Sequence, residues 1–235
     1  RAQQVVAVSQ YTRDQILRYH GSHFENKLQV VYEGWEHLLF FANETCGYPE
    51  DIPFSKYILY VGSSRGHKNW GRLIQAIQRA SHQLPPDWGF VFIGSTKMLS
   101  KKHLQLVQQL NRQRPIIQIT GWQEDCSLAS YYRHAQALIF PSLSEGFGIP
   151  ILEAYFYRIP LLLSNQASLP AIAGDAAIYF DPYNVQDISD SILHFTKQSD
   201  HTSLIERQTQ RLARYSWKTT SQQLTKLLQS FCKPL

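Results

Sequence analysis

Short, continuous apolar runs alternate along this chain with longer stretches in which apolar residues recur every three or four positions. Tyr57–Val61 is the first clear run and predicts a strand; Leu73, Ile74, Ile77 and Ala80 then fall on one face of a helix. Phe90–Ile93 predicts the next strand, closed by Gly94, with a helix near Leu99–Leu110. Ile116–Ile119 runs into Gly121, and Leu128–Ala135 has helical spacing with Tyr131 and Tyr132. Ala137–Phe140 stops at Pro141, a helix begins near Pro150, and Pro160–Leu163 and Ala177–Phe180 complete the set. Strands buried on both faces lose their polar alternation, as these have. Strands of this kind alternating with helices predict a doubly wound parallel α/β sheet of the Rossmann type.

A different piece precedes the sheet. Val5–Val8 predicts a strand, Arg13–Tyr19 a helix and Leu28–Tyr32 a second strand. A loop holding Gly34, Gly47, Pro49 and Pro53 follows, which places a domain boundary at about residues 54–55. From Asn184 to Phe231 the pattern is one of successive amphipathic helices, the last carrying Trp217, Leu224, Leu227, Leu228 and Phe231. The chain opens on Arg1 with strand pattern close behind it and without the long apolar region of a signal peptide. The expectation is a segment that begins inside a longer protein.

Composition narrows the partners. The 235 residues carry a formal net charge of +5, which suits an anionic ligand or peripheral contact with an acidic membrane surface. The basic residues are scattered and form no run interleaved with aromatics, so nucleic acid is not expected. No apolar stretch approaches the roughly 20 residues needed to span a bilayer. Cys46, Cys126 and Cys232 have neither metal-ligand nor redox-dithiol spacing and read as free thiols in a reducing, cytoplasmic compartment.

The candidate chemistry lies in residues 141–154, between a strand and a helix. Pro150 suits a first helical turn, where its missing N–H costs little, and Gly146 and Gly148 let the backbone approach a ligand. The helix start offers unpaired N–H groups and a positive dipole end to an anion. In an open α/β sheet, ligands bind at this edge. Two carboxylates bracket the loop: Glu145 at its start and, seven residues between, Glu153, read as part of the helix's first turn. A first-turn carboxylate is favourable by ~0.3–1 kcal/mol through the dipole alone; placement around a glycine-rich turn adds the option of gripping sugar hydroxyls. Lys68, beside Arg65 and His67, is unfavourable at a helix start unless an anion lies nearby. His67 and His134 read as loop and helix-surface residues.

The stretch Ser142-Leu143-Ser144-Glu145-Gly146-Phe147-Gly148-Ile149-Pro150, continued by Glu153-Ala154, resembles the paired-glutamate motif of the family 4 retaining glycosyltransferases, which have the two-domain GT-B fold. Further matches are Ala7–Thr12, Val30–Gly34, Tyr60–Gly62 with His67–Asn69 and, resembling a late loop of the family, Ser168–Pro170 and Ala173–Ala177. The resemblance implies that residues 1–54 are the tail of an N-terminal acceptor domain with its linker, the rest of that domain being absent. Residues 55–235 would then bind a nucleoside-diphosphate sugar. It implies ribose contacts from Glu153, donor-sugar contacts from Glu145, and amides of Phe147, Gly148 and Ile149 near sugar and phosphate. Lys68 and Arg65 would neutralise the diphosphate, Gly121 and Trp122 would flank the base, and Gly62 and Ser63 would line the donor site. The implied reaction is transfer of a hexose, with retention, to a glycan or lipid-linked glycan, without metal or cofactor, with the inner membrane face as a peripheral location.

Departures from the family pattern are Ser63 for an Arg, Ala171 for a Glu, and Tyr155–Arg158 where small residues and a helix-ending Gly are usual. They keep open a non-catalytic relative that binds nucleotide sugar or a partner protein. A nucleotide-cofactor oxidoreductase would want Gly-x-Gly-x-x-Gly after the first strand, which residues 62–66 do not supply. A phospho-receiver domain would want paired acids before the first helix.

Overall fold

The computed structural model describes residues 2–42, 49 and 52–231. The N-terminal segment forms β1 (Val5–Ala7), α1 (Gln10–His20), β2 (Leu28–Val30) and α2 (Leu39–Ala42). The remainder runs β3 (Lys56–Val61), α3 (Trp70–Ala80), β4 (Trp88–Ile93), α4 (Lys101–Gln113), β5 (Ile117–Gly121) and α5 (Asp125–His134). It continues as β6 (Ala137–Phe140), α6 (Ile149–Phe156), β7 (Leu161–Ser164), α7 (Leu169–Ala173), β8 (Ile178–Phe180), α8 (Val185–Lys197), α9 (Thr202–Leu212) and α10 (Trp217–Gln229).

β1 and β2 pair in parallel as a small sheet, and the other six strands form a second, all-parallel sheet in the order β5-β4-β3-β6-β7-β8. That is the doubly wound arrangement expected from the apolar runs. The two-residue period sorts each strand between two cores. Tyr57 and Leu59 of β3 enter one with Tyr132 of α5, Ile151 and Leu152 of α6 and Ile172 of α7. Ile58 and Tyr60 enter the other with Leu73 and Ile74 of α3, Val107 of α4 and Ile188 and Ile192 of α8. Helices thus cover both faces. A parallel sheet requires this, because its crossovers must lie on one face or the other.

The chain leaves β3 and β6, the central neighbours, toward opposite flanks of the sheet. Their two following loops therefore open side by side, at the topological switch point where ligands of such sheets bind.

Three expectations need correction. Cys126 is disulfide-bonded, not a free thiol, which removes the argument for a reducing compartment; Cys46 and Cys232 lie outside the described residues. Sequence spacing cannot show a pairing that folding brings together. The stretch 168–177, matched as a loop, contains α7. Glu153 is the fifth residue of α6, beyond its first turn, so a favourable dipole does not account for it. The amphipathic helix expected at the end of the described chain is α10; Leu224 and Leu228 on it, and Phe231 just beyond it, are 36%, 65% and 43% exposed. Among the described residues no helix is long and apolar enough to cross a membrane.

Candidate functional site

The loop after β3 enters the site through Gly62, whose φ of 145° is open to glycine. Its neighbour Gly94, at the end of β4, packs so closely that a Cβ would lie 2.0 Å from the Gly62 carbonyl oxygen. A short 3-10 turn, Gly66–Lys68, follows. It ends on Asn69, a buried residue in the left-handed region (φ 61°) that precedes α3. The Asn69 side-chain amide donates to the carbonyls of Pro141 (3.1 Å) and Pro182 (2.8 Å), tying together the loops after β3, β6 and β8. The Leu143 N–H donates to the His67 carbonyl at 2.7 Å, which fixes the first two loops against each other.

The glycine-rich loop is held from two further sides. Ser168, fully buried before α7, points its hydroxyl at the carbonyls of Glu145 (3.0 Å) and Phe147 (3.2 Å). From the N-terminal segment, the hydroxyls of Ser9 and Thr12 both donate to the Gly146 carbonyl. With its carbonyls turned into the protein, the loop leaves the N–H groups of Phe147, Gly148 and Ile149 without a donated bond among the described residues. Gly148 caps α6 at φ 101°, and a Cβ there would come within 2.9 Å of the Leu169 side chain. Gly146 lies outside the left-handed region, so its glycine answers to no backbone demand.

Lys68 and Glu145 meet across the junction as an ion pair of 2.7 Å, with side chains only 18% and 14% exposed. The ammonium also lies 5.1 Å above the Phe140 ring. Both line a pocket of about 360 Å³ with Val8, Glu33 and residues 146–150. Glu153 lines a different cavity of about 110 Å³, with His37, Asp125, Tyr132 and Tyr157 among its neighbours and no lining residue in common with the first. The Tyr132 hydroxyl donates to its carboxylate, and the Tyr132 and Tyr157 rings stack at 5.2 Å. Burial pushes the Glu153 carboxyl above its ordinary value; the Tyr132 hydrogen bond and Lys68 pull the other way, and Asp125 reinforces burial. Burial likewise raises Tyr132 well above the usual phenol range.

Lys68, Glu145 and residues 146–149 therefore converge. Arg65 is exposed and faces a separate groove of about 450 Å³ with Arg72 and His103. Gly121 (φ 76°) ends β5, the 76%-exposed Trp122 follows it, and neither lines either pocket. Ser63 sits half-buried beyond β3. The supporting roles of Ser9, Thr12, Asn69, Ser168 and Tyr132 escaped sequence reasoning. The first four stand inside the matched motifs, but nothing in a motif says which carbonyl a hydroxyl or amide will reach. Among the described residues no group of three or more His, Cys, Asp or Glu is placed to hold a metal ion.

Comparison with known proteins follows the same lines. The family model described as glycosyl transferases group 1 matches residues 52–212. An O-antigen chain mannosyltransferase B of Escherichia coli is 34% identical over 142 residues, which is 60% of this chain and 37% of that protein. An O-antigen chain mannosyltransferase of Salmonella typhimurium, RfbU, is 24% identical over 94% of this chain and 58% of its own length. The chain thus spans little more than a third to under two thirds of the length of these relatives. Among solved structures, Anabaena HepE in complex with UDP and glucose superposes with a TM-score of 0.80 at 19% identity, covering 98% of this chain and 64% of that one. A glycosyltransferase from Rickettsia africae gives 0.78 at 20% identity, covering 96% and 62%. These structural likenesses establish the GT-B-like fold.

Proposed function

The chain belongs to the glycosyl transferases group 1 family, and on that premise we propose that it supplies the donor site of a retaining hexosyltransferase. Residues 1–54 are then the end of an acceptor domain with its linker, and residues 55–235 the nucleotide-sugar domain. The single observation that carries the reading is the Lys68–Glu145 pair, which shares a pocket with residues 147–149, whose N–H groups donate no bond among the described residues.

In this reading the donor diphosphate displaces Glu145 from Lys68 and takes the ammonium and the loop amides as its counter-charge. The freed Glu145 carboxylate accepts hydrogen bonds from the hexose. Glu153 takes the ribose hydroxyls, Gly62 and Ser63 let the backbone come close, Arg65 adds positive potential, and Gly121 and Trp122 flank the base. In the transfer, the bond from the anomeric carbon to the phosphate oxygen breaks and its electrons leave with the diphosphate. The acceptor hydroxyl bonds to the same face and gives its proton to the departing diphosphate oxygen. Preorganised donors aimed at a leaving group that gains charge lower the barrier in the way an oxyanion hole does. The O-antigen mannosyltransferases among the relatives support a glycan or lipid-linked glycan acceptor. The UDP- and glucose-bound HepE structure supports a nucleoside-diphosphate hexose as donor. A net charge of +5 fits peripheral work at an acidic, inner membrane face.

Calorimetric titration of this chain with UDP, GDP and ADP tests the reading. One of the three should bind, more weakly as ionic strength rises, because Lys68 and Arg65 supply the attraction. Magnesium, manganese or a chelator should leave the affinity unchanged. Binding abolished by the chelator, or no binding of any of the three, would remove the proposal.

A further inference from the structure

Glu33 is a carboxylate that the motifs did not single out as a site residue. It lines the same 360 Å³ pocket as Lys68, Glu145 and the glycine-rich loop, but comes from the N-terminal segment. Among the described residues it takes part in no ion pair or hydrogen bond, while the cation of that pocket, Lys68, is already held by Glu145. A half-buried carboxylate without a partner is costly, and burial duly pushes its carboxyl above the ordinary value.

The surrounding backbone is anchored on both sides of it. Before it, the Val31 N–H donates to the Ala7 carbonyl, and the Tyr32 carbonyl accepts from the Thr220 hydroxyl of α10. The Tyr32 ring packs 6.2 Å from Phe147 of the glycine-rich loop and 5.7 Å from Tyr215. After it, Gly34 lies so tight against the start of α10 that a Cβ would fall 2.0 Å from the Trp217 nitrogen. The next carboxylate, Glu36, accepts from the Trp217 N–H at 2.7 Å and from the Ser216 hydroxyl. Glu36 is therefore spent on structure, and Glu33 is held in place without being used.

We propose that Glu33 is a second sugar-binding carboxylate, accepting hydrogen bonds from hydroxyls of the donor hexose from the N-terminal side of the pocket that Glu145 lines. The assignment rests on the donor-site reading above. A neutral polyol is the ligand that suits an unpaired carboxylate beside an anion site: it brings donors and no charge, whereas a second phosphate would be repelled. Two fixed carboxylates also recognise the orientation of hydroxyls, so Glu33 acts on which hexose is taken and not on how tightly the nucleotide is held.

The test compares affinities of this chain for a nucleoside diphosphate and for its glucose and mannose derivatives, in the parent, Glu33→Gln and Glu33→Ala. The probes are UDP, GDP and ADP with the corresponding sugar nucleotides. The ratio of sugar-nucleotide to nucleotide affinity should fall roughly ten-fold or more in both variants, the loss expected for a hydrogen bond to a charged group, with nucleotide affinity itself unchanged. The near-isosteric Gln variant keeps the test valid should the Ala variant unfold. An unchanged ratio, or an equal loss for nucleotide and sugar nucleotide, overturns the assignment. If none of the three nucleotides binds the parent, the donor-site reading fails and takes this one with it.

Discussion

Glu153 shows what a single enclosed side chain costs and what it offers. Its carboxyl is pushed above the ordinary 4.5 by burial, against the pull of the Tyr132 hydroxyl, so the folded protein holds that proton more tightly than the unfolded chain does. The sign follows directly: stability falls as pH rises from 4.5 through the raised value, and Glu153 is a stability liability once ionised. Glu153→Gln should therefore leave the unfolding midpoint at neutral pH unchanged or raised. If the carboxylate grips ribose, the same variant should weaken nucleoside diphosphate binding by ~1–3 kcal/mol. Calorimetry on both properties checks the pair of outcomes, and equal affinity in variant and parent would remove the ribose role. Arg158 makes the converse case at the other end of α6. Arg158, in the stretch where a helix-ending glycine is usual in the family pattern, is left-handed at φ 57°, with the Ile159 N–H donating to the Ala154 carbonyl behind it. Arg158→Gly should raise stability by ~1 kcal/mol, read as a higher urea midpoint at unchanged slope, with nucleotide affinity unaltered.

Asn69 acts at the scale of elements, because one side chain joins three of them. Its amide bonds to Pro141 and Pro182 hold the loops after β6 and β8 to the turn that carries Lys68. Asn69→Ala removes both bonds, leaves two buried carbonyls without that donor and places a Cβ-bearing residue less suited to φ 61°. A loss of roughly 2–3 kcal/mol in chemical denaturation is expected, together with weaker nucleotide binding as the loops separate. A variant as stable and as tight-binding as the parent would mean that the loops are fixed by other contacts. The sheet strands were legible as apolar runs because double-sided burial leaves no other pattern. The glycine-rich turn was legible because strand, glycines and Pro150 punctuate one another. By contrast, α7 has five residues, too few to show a period, and was taken for loop. The clamps of Asn69 and Ser168 depend on carbonyls 72 to 113 and 21 to 23 residues away, a distance no local pattern encodes.

At the scale of the whole molecule, the donor contacts and the acceptor are separable in a way that a single assay can expose. Every residue assigned to the donor, Glu33 and those from Gly62 to Glu153, lies within this chain. The protein nevertheless spans 37% of the O-antigen mannosyltransferase B it resembles and 64% of the HepE chain. Leu224 and Leu228 of α10, and Phe231 just beyond it, remain exposed, and the start of that helix grips Tyr32, Gly34 and Glu36. In the proposed two-domain enzyme the acceptor is held chiefly by the other domain, and closure of the cleft sets its hydroxyl against the anomeric carbon. Orientation of this kind can account for ~7–11 kcal/mol of a barrier. The 235-residue chain should therefore bind its nucleotide and yet transfer sugar several orders of magnitude more slowly than a protein extended upstream to include the acceptor domain. Both should be assayed with one donor and one acceptor, with nucleotide affinity measured alongside. Equal affinity with turnover confined to the longer protein supports the division at residues 54–55. Comparable turnover by the shorter chain would show the division to be wrong. Tight binding without turnover by either would favour a non-catalytic nucleotide-sugar-binding relative.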